Sequence, residues 1–117
     1  MELNFFEPEH APQPKEKVKI ERLSAKAYPD GWRLRVNVDV TPFQERPSLE
    51  VMLISADGRP VAEIAIIETM HKSMEFTIHL RGVSTPNGNY TLAADLYYGD
   101  DRSQVQHRLE VPFSIQV

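Results

Sequence analysis

No cysteine occurs among the 117 residues, which removes disulfides and thiolate metal sites and leaves the fold to packing alone. Positive charge is also in deficit. Thirteen Lys and Arg against 17 Asp and Glu leave a net charge of −4, whereas binding a phosphate backbone draws most of its free energy from clustered cations. Nucleic acid is therefore not an expected partner. No apolar run approaches the roughly 18 residues that a membrane span requires. The first twenty residues carry Glu2, Glu7 and Glu9 with Pro8, Pro12 and Pro14, where a secretory signal needs a basic start and an apolar run. The expectation is a cytoplasmic protein without a membrane span. Glycine is scarce, five residues against nine prolines, which favours extended structure and stiff connections. The length suits one domain with a single core.

Residues 1–16 form a separate compositional block. A short apolar cluster, Leu3, Phe5 and Phe6, precedes the proline-rich stretch Glu7 to Pro14, which reads as an extended tail because proline supplies no backbone donor. Residues 17–117 read as one domain of alternating strands. Val18 and Ile20 share one phase and Leu23, Ala25 and Ala27 take the other, which predicts a bulge or sheet crossing around Glu21-Arg22. Tyr28-Pro29-Asp30-Gly31 is a turn. After it Trp32, Leu34, Val36, Val38 and Val40 alternate with polar residues, giving a strand whose buried face is headed by Trp32. Further strands are expected over about 48–55, 61–68 and 73–80, with an Asp57-Gly58 turn making a hairpin of the first two. The last two are expected at Tyr90 to Tyr98 and Val105 to Val117. Pro112 places the final strand at a sheet edge or a bulge.

Pro86-Asn87-Gly88-Asn89-Tyr90 is the most specific pattern in the chain. A turn opens directly into a strand whose apolar residues Leu92, Ala94 and Leu96 follow Tyr90 at every second position. This resembles the penultimate strand of immunoglobulin-like and fibronectin type III-like β-sandwiches, where a tyrosine near the strand start bonds back to the preceding corner. The resemblance covers about residues 17–117 and implies an all-β, seven-strand antiparallel sandwich. With no paired cysteines, and with Trp32 one strand early, the fibronectin-type or bacterial immunoglobulin-like variants fit best. Such sandwiches host many functions.

Reaction chemistry finds little support in the residues. His10, His71, His79 and His107 lack the short spacing of metal-binding pairs. Asp57, Asp100 and Asp101 lie in turns without a calcium ladder, where aspartate ordinarily bonds its own backbone. No serine has a Gly-x-Ser-x-Gly context, and carboxylates such as Asp39 and Glu50 fall on exposed strand faces. A protein without catalytic residues, metal or cofactor is expected.

The stronger functional signal is the hairpin 49–67, which has more large apolar residues than one face can absorb. With Leu49, Val51 and Leu53 inward, Met52 and Ile54 point outward, and one of Ile66 or Ile67 joins them. A sheet face of that composition is often covered. Leu3, Phe5 and Phe6 on their proline tether form an arm that can dock on that face or add a strand to an edge, in the same chain or in a neighbour. The expected function is protein interaction or structural self-association through Leu3, Phe5, Phe6, Met52, Ile54 and Ile67, with Arg33 and Arg35 as rim contacts. The alternative is a carbohydrate or small-ligand module in which loops at one end present Tyr28, Phe43 and Tyr97 for stacking.

Overall fold

A computed structural model describes residues 11–100, 102 and 104–117. Within these lie seven strands: β1 (Ile20–Ala27), β2 (Arg33–Val40), β3 (Ser48–Ser55), β4 (Pro60–Ile66), β5 (Ser73–His79), β6 (Gly88–Tyr97) and β7 (His107–Ile115). They form two antiparallel sheets, β1-β2-β5 and β4-β3-β6-β7. Period-two alternation places Leu34, Val36 and Val38 of β2 in the core with Leu49, Val51 and Leu53 of β3 and Leu92, Ala94 and Leu96 of β6, all completely buried.

The phase change in β1 is a bulge. Ile20 pairs with Val40 and Arg22 with Asp39, so Glu21 is the extra residue, and Val18, Ile20 and Leu23 all reach the core. A second irregularity lies between Leu53 and Ile54, where Val61 and Ala62 are both buried. The tyrosine corner is present as expected: the Tyr90 hydroxyl donates to the Pro86 carbonyl at 2.8 Å. Gly31, at φ +75°, makes the neighbouring turn possible, since a Cβ there would lie 2.9 Å from Pro86 Cγ. Pro112 lies on β7, an edge strand.

Trp32 departs from expectation. It precedes β2, its side chain is 37 % exposed, and its carbonyl accepts from Leu80 N–H. The even-numbered phase is therefore correct, but the core begins one step later, at Leu34.

The two ends of the sandwich carry different connections. One end holds the β1–β2 turn, the β3–β4 turn and the corner before β6. The other holds the β2–β3, β4–β5 and β6–β7 connections. At this second end Gln13 is bonded to Pro42 and Gln44, and Lys15–Lys17 forms one 3-10 turn.

Candidate functional site

β4 and β5 are edge strands of different sheets, and the space between them is a groove. It closes near the corner end, where Arg81 N–H donates to the Val61 carbonyl at 2.7 Å. Toward the opposite end it opens to about 630 Å³, lined by Arg46, Ile66, Ile67, Met70, Met74 and Phe76. The even residues of β5 bond to β2, as Val40 N–H to the Lys72 carbonyl and Leu80 N–H to the Trp32 carbonyl show. The backbone groups of Ser73, Glu75 and Thr77 therefore point away from β2, into the open edge.

The link from β4 to β5 is built so as to hold apolar groups outward. Thr69 is buried and its N–H donates to the Pro47 carbonyl. Its hydroxyl donates to the His71 carbonyl and accepts from His71 N–H. Glu68 N–H donates to the Ser48 hydroxyl at 3.0 Å, with Glu68 at φ 47°, a left-handed conformation that costs a non-glycine residue about 1 kcal/mol. Held by these bonds, Ile67 is 64 % exposed and Met70 73 %. Two large apolar side chains facing water from a tied loop are a more specific feature than scattered exposed residues.

Met52 and Ile54 lie elsewhere, half-buried on the outer face of the four-stranded sheet. Charges surround them: Arg102 meets Glu50 at 2.8 Å, and Arg108 bridges Asp95 at 3.0 Å and Glu110 at 2.7 Å. Ala93, the cross-strand partner of Met52, is completely buried. The surplus apolar residues of the hairpin are thus divided between two surfaces, with Met52 and Ile54 on the sheet face and Ile66 and Ile67 at the groove. Leu3, Phe5 and Phe6 lie outside the described residues. Arg33 and Arg35 are not at the rim of the Met52 surface, because β2 belongs to the other sheet. Arg33 instead sits over the Tyr28 ring, 4.3 Å from its centroid.

The three aromatics expected at one end are split between both. Tyr28 is in the β1–β2 turn, whereas Phe43 and Tyr97 are at the opposite end. Tyr97 is 2 % exposed, with no ring face free for stacking. Tyr28 has Arg33 on its ring and its hydroxyl 3.2 Å from that of Thr77, a bond that lowers its pKa, with Arg35 adding to the effect.

Titratable groups are dispersed. Asp39 and Glu50 lie on the outer faces of different sheets. His107 Nδ1 accepts from Ile20 N–H at 3.0 Å. Asp57 accepts from Ser55 and from Arg59 N–H, and these bonds, the Ser55 one foremost, lower its pKa. Among the described residues no three His, Asp or Glu side chains gather as a metal site, and no helix is long and apolar enough to cross a membrane.

Glu68, Met70, Met74 and Phe76 were not singled out by sequence reasoning as site residues, and Ile66 was named only as the alternative to Ile67. A signal was available in Met70, a large apolar residue in a short polar link. The inward phase of Met74 and Phe76 reads as core, and only the open edge beside β5 turns them toward a groove.

No protein-family model matches the chain, and no curated protein matches it in sequence. Solved structures do resemble it. A β-glucuronidase from Bifidobacterium dentium, complexed with coumarin-3-O-glucuronide, superposes with a TM-score of 0.68 at 14 % identity, covering 86 % of this chain and 18 % of that one. A glycosyl hydrolase family 2 member from Bacteroides cellulosilyticus gives 0.58 at 11 %, over 84 % and 15 %. A β-glucuronidase from Ruminococcus gnavus, in complex with C6-substituted uronic isofagomine, gives 0.57 at 18 %, over 85 % and 16 %. This chain spans less than a fifth of each of these proteins. At such identities the likeness is one of fold: the chain is similar to a β-sandwich domain of much larger glycoside hydrolases.

Proposed function

We propose that this chain is a non-enzymatic interaction module that binds another protein, or a second copy of itself, through the groove between β4 and β5. The observation that carries this reading is the pair Ile67 and Met70, held exposed by a hydrogen-bonded link beside a strand edge that pairs with no other strand among the described residues. An edge strand with free backbone groups and apolar side pockets accepts an extended segment by strand addition, the backbone supplying affinity and the pockets specificity. Two copies meeting at this edge form a self-complementary contact about a two-fold axis. The aromatic-stacking alternative has less support, since its three residues do not converge.

The test uses a chain beginning at Ala11, which retains all seven strands and the core. In sedimentation velocity this chain is expected to self-associate with rising concentration, and Ile67→Glu is expected to restore the monomer. A monomer at every concentration, unaltered by Ile67→Glu, contradicts the self-association reading.

A further inference from the structure

Resting on the reading of the groove as an interaction surface, we propose that its occupant is a second copy of this chain, whose β5 adds antiparallel to β5 of the first in the register that pairs Thr77 with Thr77 and Glu75 with His79. The three-stranded sheets of the two copies then join into one continuous sheet about a two-fold axis through Thr77.

The backbone restricts the choice of register. Ser73, Glu75, Thr77 and His79 turn their N–H and C=O groups away from β2, so only an alignment that sets odd residues opposite odd ones bonds the two strands. Among the described residues no strand pairs with that edge. It closes just beyond β5, where the Arg81 N–H is used by the Val61 carbonyl. Pairing is thereby confined to Ser73–His79, and the alignments that overlap most of this stretch set Glu75 opposite itself, Thr77 or His79.

Side chains select among these three. Glu75, Thr77 and His79 are all exposed on the outer face of the sheet. Glu75 opposite itself brings two carboxylates together, and Glu75 opposite Thr77 leaves them diagonal neighbours, both unfavourable. The remaining alignment sets Glu75 opposite His79 twice and Thr77 opposite itself, pairs of the kind that stabilise antiparallel strands. Even a neutral imidazole has one N–H to donate to a carboxylate. Arg33 is the neighbour of His79 on β2, so each Glu75 enters a row that ends in a cation of the other copy. Within its own chain Glu75 accepts from the Asn37 amide at 3.3 Å and lies 4.0 Å from Arg35, an exposed and long ion pair that competes weakly. On the inner face the same alignment sets the half-buried Phe76 opposite Ile78 of the copy, at the closer spacing of a non-hydrogen-bonded pair. Antiparallel pairing also brings the open end of each groove, with Ile67 and Met70, to the corner end of the other copy.

The chain has no cysteine, so a single introduced cysteine can be oxidised only onto its own copy, and disulfide linking of the full chain tests the register. With Thr77 opposite itself the two Cα atoms lie about 5.5 Å apart, within disulfide reach, whereas Glu75 and its copy, like His79 and its copy, are displaced by about 13 Å along the strands. Under mild oxidation Thr77→Cys is expected to form a linked dimer about tenfold or more faster than Glu75→Cys or His79→Cys alone. Mixing Glu75→Cys with His79→Cys is expected to link the two variants to each other. Linking of Glu75→Cys or His79→Cys alone as fast as Thr77→Cys, or no linking in any of them, overturns the proposal. Sedimentation of the full chain beside Ile67→Glu separates this failure from that of the groove reading. Association that Ile67→Glu removes, without linking at Thr77→Cys, overturns the β5 pairing and leaves the groove as the surface. Association indifferent to Ile67→Glu, or a monomer in both, counts against self-association through the groove as well.

Discussion

Two tyrosines show how single residues secure this sandwich. Tyr90 is buried with its hydroxyl on the Pro86 carbonyl, and burial raises its pKa. Tyr90→Phe keeps the ring and loses the bond, so about 1 kcal/mol of stability is expected to go, seen as a lower urea midpoint at unchanged m-value. Self-association of the chain beginning at Ala11 is expected to survive the change, since the corner lies away from the open end of the groove. Tyr98, whose hydroxyl donates to the Glu45 carbonyl at 3.0 Å, is pushed up from 10.0 to about 12, first by burial and then by Glu45 and Glu16. The folded chain therefore holds this proton more tightly than the unfolded one. Its contribution is fully present below pH 10 and falls as pH rises through about 12. Urea melts across this window are expected to show a shallower alkaline loss of stability in Tyr98→Phe than in the native chain, and parallel losses would contradict the assignment.

At the scale of elements, strands and turns were legible because alternation reports burial directly. The bulge at Glu21 followed from the switch between the Val18-Ile20 and Leu23-Ala25 phases, and the β3–β4 turn from Asp57-Gly58. Trp32 was misplaced because an apolar residue in phase at a strand start reads as core, whereas turn geometry decides whether it is covered. The surplus in the hairpin was visible, but its division was not: alternation places Met52 and Ile54 outward without showing that ion pairs surround them. The groove was illegible for a related reason, since it depends on β4 and β5 ending up as edges of different sheets. The link between them supplies its own test. Glu68→Gly removes a left-handed non-glycine residue and is expected to raise stability by about 0.5 kcal/mol at most, the released strain slightly exceeding the added chain entropy. No change or a loss in the urea midpoint would mean that the Glu68 side chain offsets the strain through contacts of its own.

On the scale of the whole molecule, seven strands leave one side of the sandwich closed by β1 running beside β7 and the other incompletely closed between β4 and β5. An open edge lined with apolar residues is a hazard unless something occupies it, and the exposed Ile67 and Met70 sharpen that requirement. Light scattering on the chain beginning at Ala11 tests the central claim most directly, with Ile67→Glu set against Ile54→Glu. Mass above the monomer is expected in the parent and in Ile54→Glu and is expected to be lost in Ile67→Glu. If instead Ile54→Glu abolishes association and Ile67→Glu leaves it intact, the interaction surface is the outer face of the four-stranded sheet and the groove is not the site.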